Sequence, residues 1–295
     1  VAVLGSVLLI SNPASRRGAR WHQHAIAAFR AAGASCDAVL TEAPGHGGEI
    51  AERLASSYDA VFALGGDGTA TEVIGALTGR GIPVGILPGG TGNLLARYLG
   101  IPLDLDRAVH GLLRGTQLTM DLGRLSSGRA YAYSAGVGVD AAMVADTPKA
   151  LKRLIGMPAY MAAATRAVLR ARLFDVRAVV DGTVIERQAS AVYVTNQPNV
   201  LNRMLTFGPG IRNDDGLLDL CVYTPRDPFD AARIMLKLFQ GDFRPDPSLF
   251  FARGRDFRVE TSPPQLSQAD GELLGREPVD IRVEPGAALL LSPAA

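Results

Sequence analysis

The first hundred residues alternate two kinds of apolar pattern. Short, nearly unbroken apolar runs occur at 6–11 (SVLLIS), 36–41 (CDAVLT), 59–64 (DAVFAL) and 83–88 (PVGILP). Between them, residues 18–32, 47–57, 69–79 and 93–100 carry apolar positions at helical spacing, and Gly33 and Gly100 close two of these segments. Compact apolar runs read as strands, and strands alternating with helices predict a parallel sheet with right-handed crossovers. Near residue 115 the pattern changes. Residues 118–138 read as strands paired around a Ser126-Ser127-Gly128 turn, and 149–172 as helix interrupted near Gly156 and Pro158. Strand-like runs follow at 173–180, 184–195, 217–223, 255–261, 279–284 and 288–292, with a helix at 228–240. The expected organisation is an α/β domain over 1–115 and a mostly β domain over 116–295.

Composition narrows this without changing it. Of 295 residues, 47% are hydrophobic and 20% charged, which predicts a sizeable core rather than disorder. A net charge of +1 gives no electrostatic footprint for nucleic acid. The two cysteines, Cys36 and Cys221, lie in alternating apolar runs and read as core thiols. His22 and His24 sit two apart on a predicted helix and read as surface residues. The longest uncharged run, 81–96, is broken by Gly and Pro and is shorter than the ~20 residues of a membrane span. The expectation is a cytoplasmic protein able to touch a membrane surface.

The chemistry concentrates at two strand ends. Gly65-Gly66-Asp67-Gly68-Thr69 follows one apolar run, and Gly89-Gly90-Thr91-Gly92-Asn93 follows the next. Ligands gather at the carboxyl ends of strands in open α/β sheets, and helix N-termini there offer N–H groups to phosphate. Glycines let a ligand approach the backbone, and Thr69 and Thr91 could add hydroxyl donors. Neither stretch has the P-loop or G-x-G-x-x-G spacing. Asp67 repels phosphate unless a cation lies between them, so it points to magnesium; the other reading is a tight turn whose acid caps a helix.

GGDGTATE followed by ILPGGTGNLLAR resembles the catalytic domain shared by diacylglycerol kinases, sphingosine kinases and their bacterial lipid-kinase relatives. ISNPASRRG (10–18), LTEAPGHGGEIA (40–51), YSAGVGVDA (133–141), NDDGLLDL (213–220) and ADGE (269–272) resemble further blocks of that family, in its order. The resemblance implies a Rossmann-like domain that binds ATP, a β-sandwich-like domain that takes the lipid, and an active site in the cleft between them. Residue by residue, it implies nucleotide contacts at Thr41, Gly65, Gly66, Asp67, Gly68, Thr69, Ala70, Thr71, Thr91 and Asn93. It implies catalytic roles for Asp67 and for Asp270, the latter as general base, with Glu272 among the cofactor-binding residues to hold metal or base in place, and a structural magnesium site at Asp215 with the carbonyls of Arg212 and Leu217. Asp270-Gly271 equally reads as a hairpin turn, and the 212–217 loop as a turn before a strand.

Two positions depart from the family pattern. Thr71 stands where bacterial relatives often have Asn, and Leu94 where they often have Asp, a departure that bears on the metal and phosphate network rather than on the fold. Residues 149–177 carry seven lysines or arginines against one acid, Asp175, and form the best sequence candidate for a membrane-facing segment; a helix packed on the β domain fits the same pattern. The expected activity is transfer of the γ-phosphate of ATP, with Mg2+, to a lipid hydroxyl, most simply diacylglycerol. The alternatives are a sphingoid base, phosphatidylglycerol or NAD as acceptor, or a regulator that binds without catalysis. A homodimer is left open.

Overall fold

A computed structural model describes residues 4–139, 141–142, 172–200, 205–276 and 278–294. The helical reading at 149–172 and the basic part of the 149–177 segment lie outside the described residues, apart from Arg172 and Arg177. Arg177 belongs to a strand, not a helix. The chain forms two compact units, 1–120 with 286–295, and 121–285. The last ten residues belong to the first unit.

The first unit is built from β1 (Ser6–Ser11), α1 (Gly18–Ala31), β2 (Ser35–Leu40), α2 (His46–Leu54), β3 (Ala60–Gly65), α3 (Asp67–Ala76), β4 (Val84–Pro88), α4 (Leu94–Tyr98) and α5 (Leu105–Leu113). Its strands pair in parallel in the order β2-β1-β3-β4. Val7, Leu8, Leu9 and Ile10 are all fully buried, as are Val61, Phe62 and Leu64. Covering both faces of β1 and β3 is what an unbroken apolar run requires, and helices on a parallel sheet supply it. Leu290, from the last strand of the chain, pairs in parallel beside Val84 of β4.

The second unit takes the latter half of β5 (Thr116–Leu125), then β6 (Ala130–Tyr131), β7 (Ser134–Gly138), β8 (Phe174–Val180), β9 (Thr183–Ala189) and β10 (Ala191–Thr195). It continues with β11 (Asn199–Val200), β12 (Leu205–Thr206), β13 (Leu218–Tyr223), α6 (Pro228–Gln240), β14 (Leu249–Gly254), β15 (Asp256–Ser262), β16 (Ser267–Ala269), β17 (Glu272–Gly275) and the start of β18 (Val279–Ser292). One antiparallel sheet runs β14-β13-β10-β7-β16-β17; β18, β15, β8 and β9 form consecutive antiparallel neighbours in another.

Phe174, Val176, Val192, Val194, Leu218, Leu220, Phe257, Val259 and Ile281 meet in one core drawn from both sheets, which is the packing of a sandwich. The alternate residues of β13, Cys221 and Tyr223, pack instead with Ile234 and Leu238 of α6. The expected strand at 184–195 is two strands, β9 and β10, which pair in different sheets around buried Ser190. The two expected strands at 279–284 and 288–292 are one strand that continues through Pro285-Gly286. Both cysteines are free and buried, as core thiols should be, and burial raises the Cys36 thiol to about 11. His24 is an exposed partner of Asp106, whereas His22 is half-buried with Nδ1 3.0 Å from Ser11 Oγ.

Candidate functional site

In the first unit, the expected nucleotide residues gather at the carboxyl ends of β1 to β4. Asn12 ends β1, Thr41 follows β2, Gly65-Gly66 lead from β3 into α3, and Gly89–Asn93 lead from β4 into α4. Thr41 is buried, and its N–H continues the β1 pairing by donating to Ser11 O at 2.9 Å. Thr71 is buried inside α3, and Ala70 beside it belongs to the core.

The two glycine turns lie backbone against backbone. A Cβ on Gly90 would stand 2.5 Å from Gly66 Cα, and one on Gly65 would stand 2.6 Å from Thr69 Oγ1. Glycine at 90 is therefore required by the packing of one turn on the other, and glycine at 65 by its own turn, in addition to any ligand. Gly90→Ala is expected to separate the turns, costing about 1–3 kcal/mol of stability and weakening nucleotide binding. Thermal melting and a fluorescent ATP analogue check this.

Asp67 ties the turns together. It opens α3, yet its Oδ1 accepts from Leu95 N, in the first turn of α4, at 3.1 Å. The acid does cap a helix, but the next one. Thr69 Oγ1 accepts from Asn12 Nδ2 at 3.0 Å, which binds the ends of β1 and β3 together. Asn93 is buried in the left-handed region at φ 49°, accepting from Gly90 N at 2.8 Å and donating to Gly90 O at 3.1 Å, so its amide holds the second turn closed. Thr91 is half-buried, and no described hydrogen bond uses its hydroxyl. Glu72, which the sequence did not single out, accepts from Gly45 N at 2.9 Å and so fixes the loop after Thr41. The half-buried Asp67 carboxylate fits a magnesium ion carried by a nucleotide, because such an ion takes one or two carboxylates and completes its shell with phosphate oxygens and water.

In the second unit, Asp270 and Gly271 form the two-residue turn between β16 and β17, both at positive φ (47° and 80°). That is the hairpin reading of Asp-Gly. The turn also seats the carboxylate: Oδ2 accepts from Ala132 N at 2.8 Å, and Oδ1 from Tyr133 N at 2.9 Å and Ser134 N at 3.1 Å. Glu272 is exposed and pairs with Arg129 at 3.0 Å, on the surface of its hairpin.

In the 212–217 loop, the expected magnesium ligand Asp215 has a backbone donor and a guanidinium beside it. Leu217 N donates to Asp215 Oδ1 at 3.2 Å, and Arg253 Nη1 lies 3.6 Å from Asp215 Oδ2. Arg253 also donates from Nε to Asp219 Oδ1 at 3.0 Å and from Nη2 to Gly210 O at 2.6 Å, while Arg212 pairs with Asp214. The acids of the loop already carry guanidinium partners. EDTA is expected to leave the melting temperature of the ligand-free protein unchanged, whereas Arg253→Ala lowers it. A drop of several degrees with EDTA, reversed by magnesium, would restore the loop as a cation site.

A family profile described as the diacylglycerol kinase catalytic domain matches residues 6–125, and one described as the YegS C-terminal NAD kinase β-sandwich-like domain matches 133–292. An uncharacterized protein of Synechocystis sp. is 30% identical over 79% of this chain and 54% of its own length, so the match spans about half of that relative. A Staphylococcus saprophyticus protein named diacylglycerol kinase is 26% identical over 78% of this chain and 75% of its own. A crystal structure titled as a diacylglycerol kinase from Bacillus anthracis aligns with TM-score 0.75 at 21% identity, covering 99% of this chain and 98% of that one.

Proposed function

We propose, from the premise that this chain belongs to the diacylglycerol kinase family with its YegS-type C-terminal domain, that it transfers the γ-phosphate of ATP to the hydroxyl of diacylglycerol, giving phosphatidic acid. The observation that carries the reading is the pair of glycine turns at the ends of β3 and β4, with Asp67 bridging them. Backbone N–H groups at the start of α3 suit the triphosphate, and the packing of turn on turn presents them without reorganisation. Magnesium bound with the nucleotide would neutralise the charge between Asp67 and the phosphate oxygens.

The acceptor hydroxyl is a poor nucleophile until its proton leaves. Asp270 takes that proton as the oxygen attacks the γ-phosphorus, and ADP leaves with the bridging oxygen. The three N–H donors from residues 132–134 keep the carboxylate in one orientation for this step. Phosphoryl transfer asks the protein mainly for position and electrostatics, and both carboxylates supply these. No helix among the described residues is long and apolar enough to cross a membrane.

An acceptor panel tests the proposal. Diacylglycerol, sphingosine, phosphatidylglycerol and NAD are offered separately with ATP and magnesium, the lipids in mixed micelles, and ADP release is followed. Stimulation by diacylglycerol alone supports the reading. Stimulation only by NAD moves the protein to soluble acceptors, and ATP binding without turnover on any acceptor makes it a regulator.

A further inference from the structure

The strand end that seats Asp270 is held from its other side. A peptide group is planar, so whatever fixes the C=O of Ala132 also fixes the N–H of Tyr133, and the C=O of Tyr133 fixes the N–H of Ser134. Those two N–H groups are the donors to Asp270 Oδ1. Both carbonyls are taken by a single residue, Asn196. Its Nδ2 donates to Ala132 O at 3.1 Å, and its backbone N donates to Tyr133 O at 2.9 Å. The same Nδ2 donates to Asp121 O at 2.6 Å, and Asp121 Oδ2 accepts from Gly216 N at 2.7 Å. The side chain of Asn196 therefore spans two backbone segments that converge beneath the seat.

Its neighbours act in the same place. Thr195 Oγ1 lies 3.2 Å from Tyr133 O, and Gln197 Nε2 donates to Ala132 O at 3.4 Å. Thr195, Asn196 and Gln197 have no exposed surface at all. Asn196 Oδ1 is buried with no hydrogen-bond partner. An unpaired buried acceptor costs stability, and the amide sets against that cost a donor shared by two buried carbonyls, Asp121 O and Ala132 O. What the amide adds is its donor, aimed at the peptide plane behind Asp270. The left-handed turn at Asp270 fixes the backbone of that residue and leaves its side-chain torsions to the three N–H groups.

We infer that Asn196 is a positioning residue for Asp270: it aims the Tyr133 and Ser134 N–H groups and through them the carboxylate that takes the acceptor's proton. The inference rests on Asp270 being the general base. Its test uses Asn196→Ala and, because that site is fully buried, the volume-conserving Thr195→Val as a second variant. Turnover with diacylglycerol in mixed micelles should fall about 10- to 100-fold for Asn196→Ala and less for Thr195→Val, with KM for ATP unchanged. In an Asp270→Asn background the same substitutions should cause no further loss. Deuterium exchange at the amides of 132–134 should rise in both variants while the amides of 65–70 keep their protection. Unchanged exchange at 132–134, or an undiminished loss in the Asp270→Asn background, overturns the inference and leaves the base assignment standing. Full turnover by Asp270→Asn alone removes the base assignment and the inference with it.

Discussion

Asp67→Asn should abolish measurable phosphate transfer while the protein stays folded. The asparagine keeps an oxygen to accept from Leu95 N, so the tie between the two glycine turns survives. What disappears is the negative charge that lets a magnesium ion sit between the turn and the phosphates. Preorganised electrostatic groups of this kind are worth about 10²–10³-fold each, and the loss should be at least that large. Steady-state ADP release at saturating magnesium gives the rate, and the melting temperature gives the fold. Asp67→Ala provides the contrast: it loses the acceptor for Leu95 N as well, so it should match Asp67→Asn in activity and melt lower. Near-normal turnover by Asp67→Asn would reduce Asp67 to a helix cap.

Asp270→Asn should lower kcat by about 10²–10⁴-fold with ATP affinity unchanged, the usual range for loss of a general base. Asparagine is the informative choice because Asp270 sits at φ 47°, where Asn is tolerated and Ala is strained. Its carbonyl oxygen can still accept from Tyr133 and Ser134. Its NH2 then faces Ala132 N, donor against donor, so stability should fall by about 1–3 kcal/mol. That loss lowers the melting temperature without emptying the nucleotide site, and titration with an ATP analogue separates the two effects. A variant that turns over normally would leave Asp270 as the hairpin residue that its Asp-Gly sequence also describes.

The parallel sheet was legible because β1 carries an unbroken apolar run from Val7 to Ile10 and β3 one from Ala60 to Leu64, all buried, and only a sheet covered on both faces needs that. The helix at 228–240 was legible to the residue: Asp227 caps it by accepting from Asp230 N, and Gly241 ends it at φ 65°. The glycine turns were legible as a site, but their mutual packing was not. Sequence reading gave the glycines to a ligand and the Thr69 hydroxyl to phosphate. The structure has Gly90 against Gly66, and Thr69 accepting from Asn12, 57 residues away.

Contacts at such separations leave no local pattern. The seat of Asp270 lies more than 130 residues before it, and Asn196 sits at a strand end with no periodic signal. The place of the last strand was not legible for a related reason. A run such as 288–292 reads as a strand but does not say which sheet it joins, and it joins β4.

The most direct measurement follows the γ-phosphate itself. ATP labelled at that position is incubated with magnesium and diacylglycerol in mixed micelles, and the lipid phase is separated and analysed. Label in phosphatidic acid with the wild-type protein, absent with Asp67→Asn and Asp270→Asn, is the predicted result. Label that stays in ATP or appears only as inorganic phosphate, with nucleotide still bound, would contradict the account.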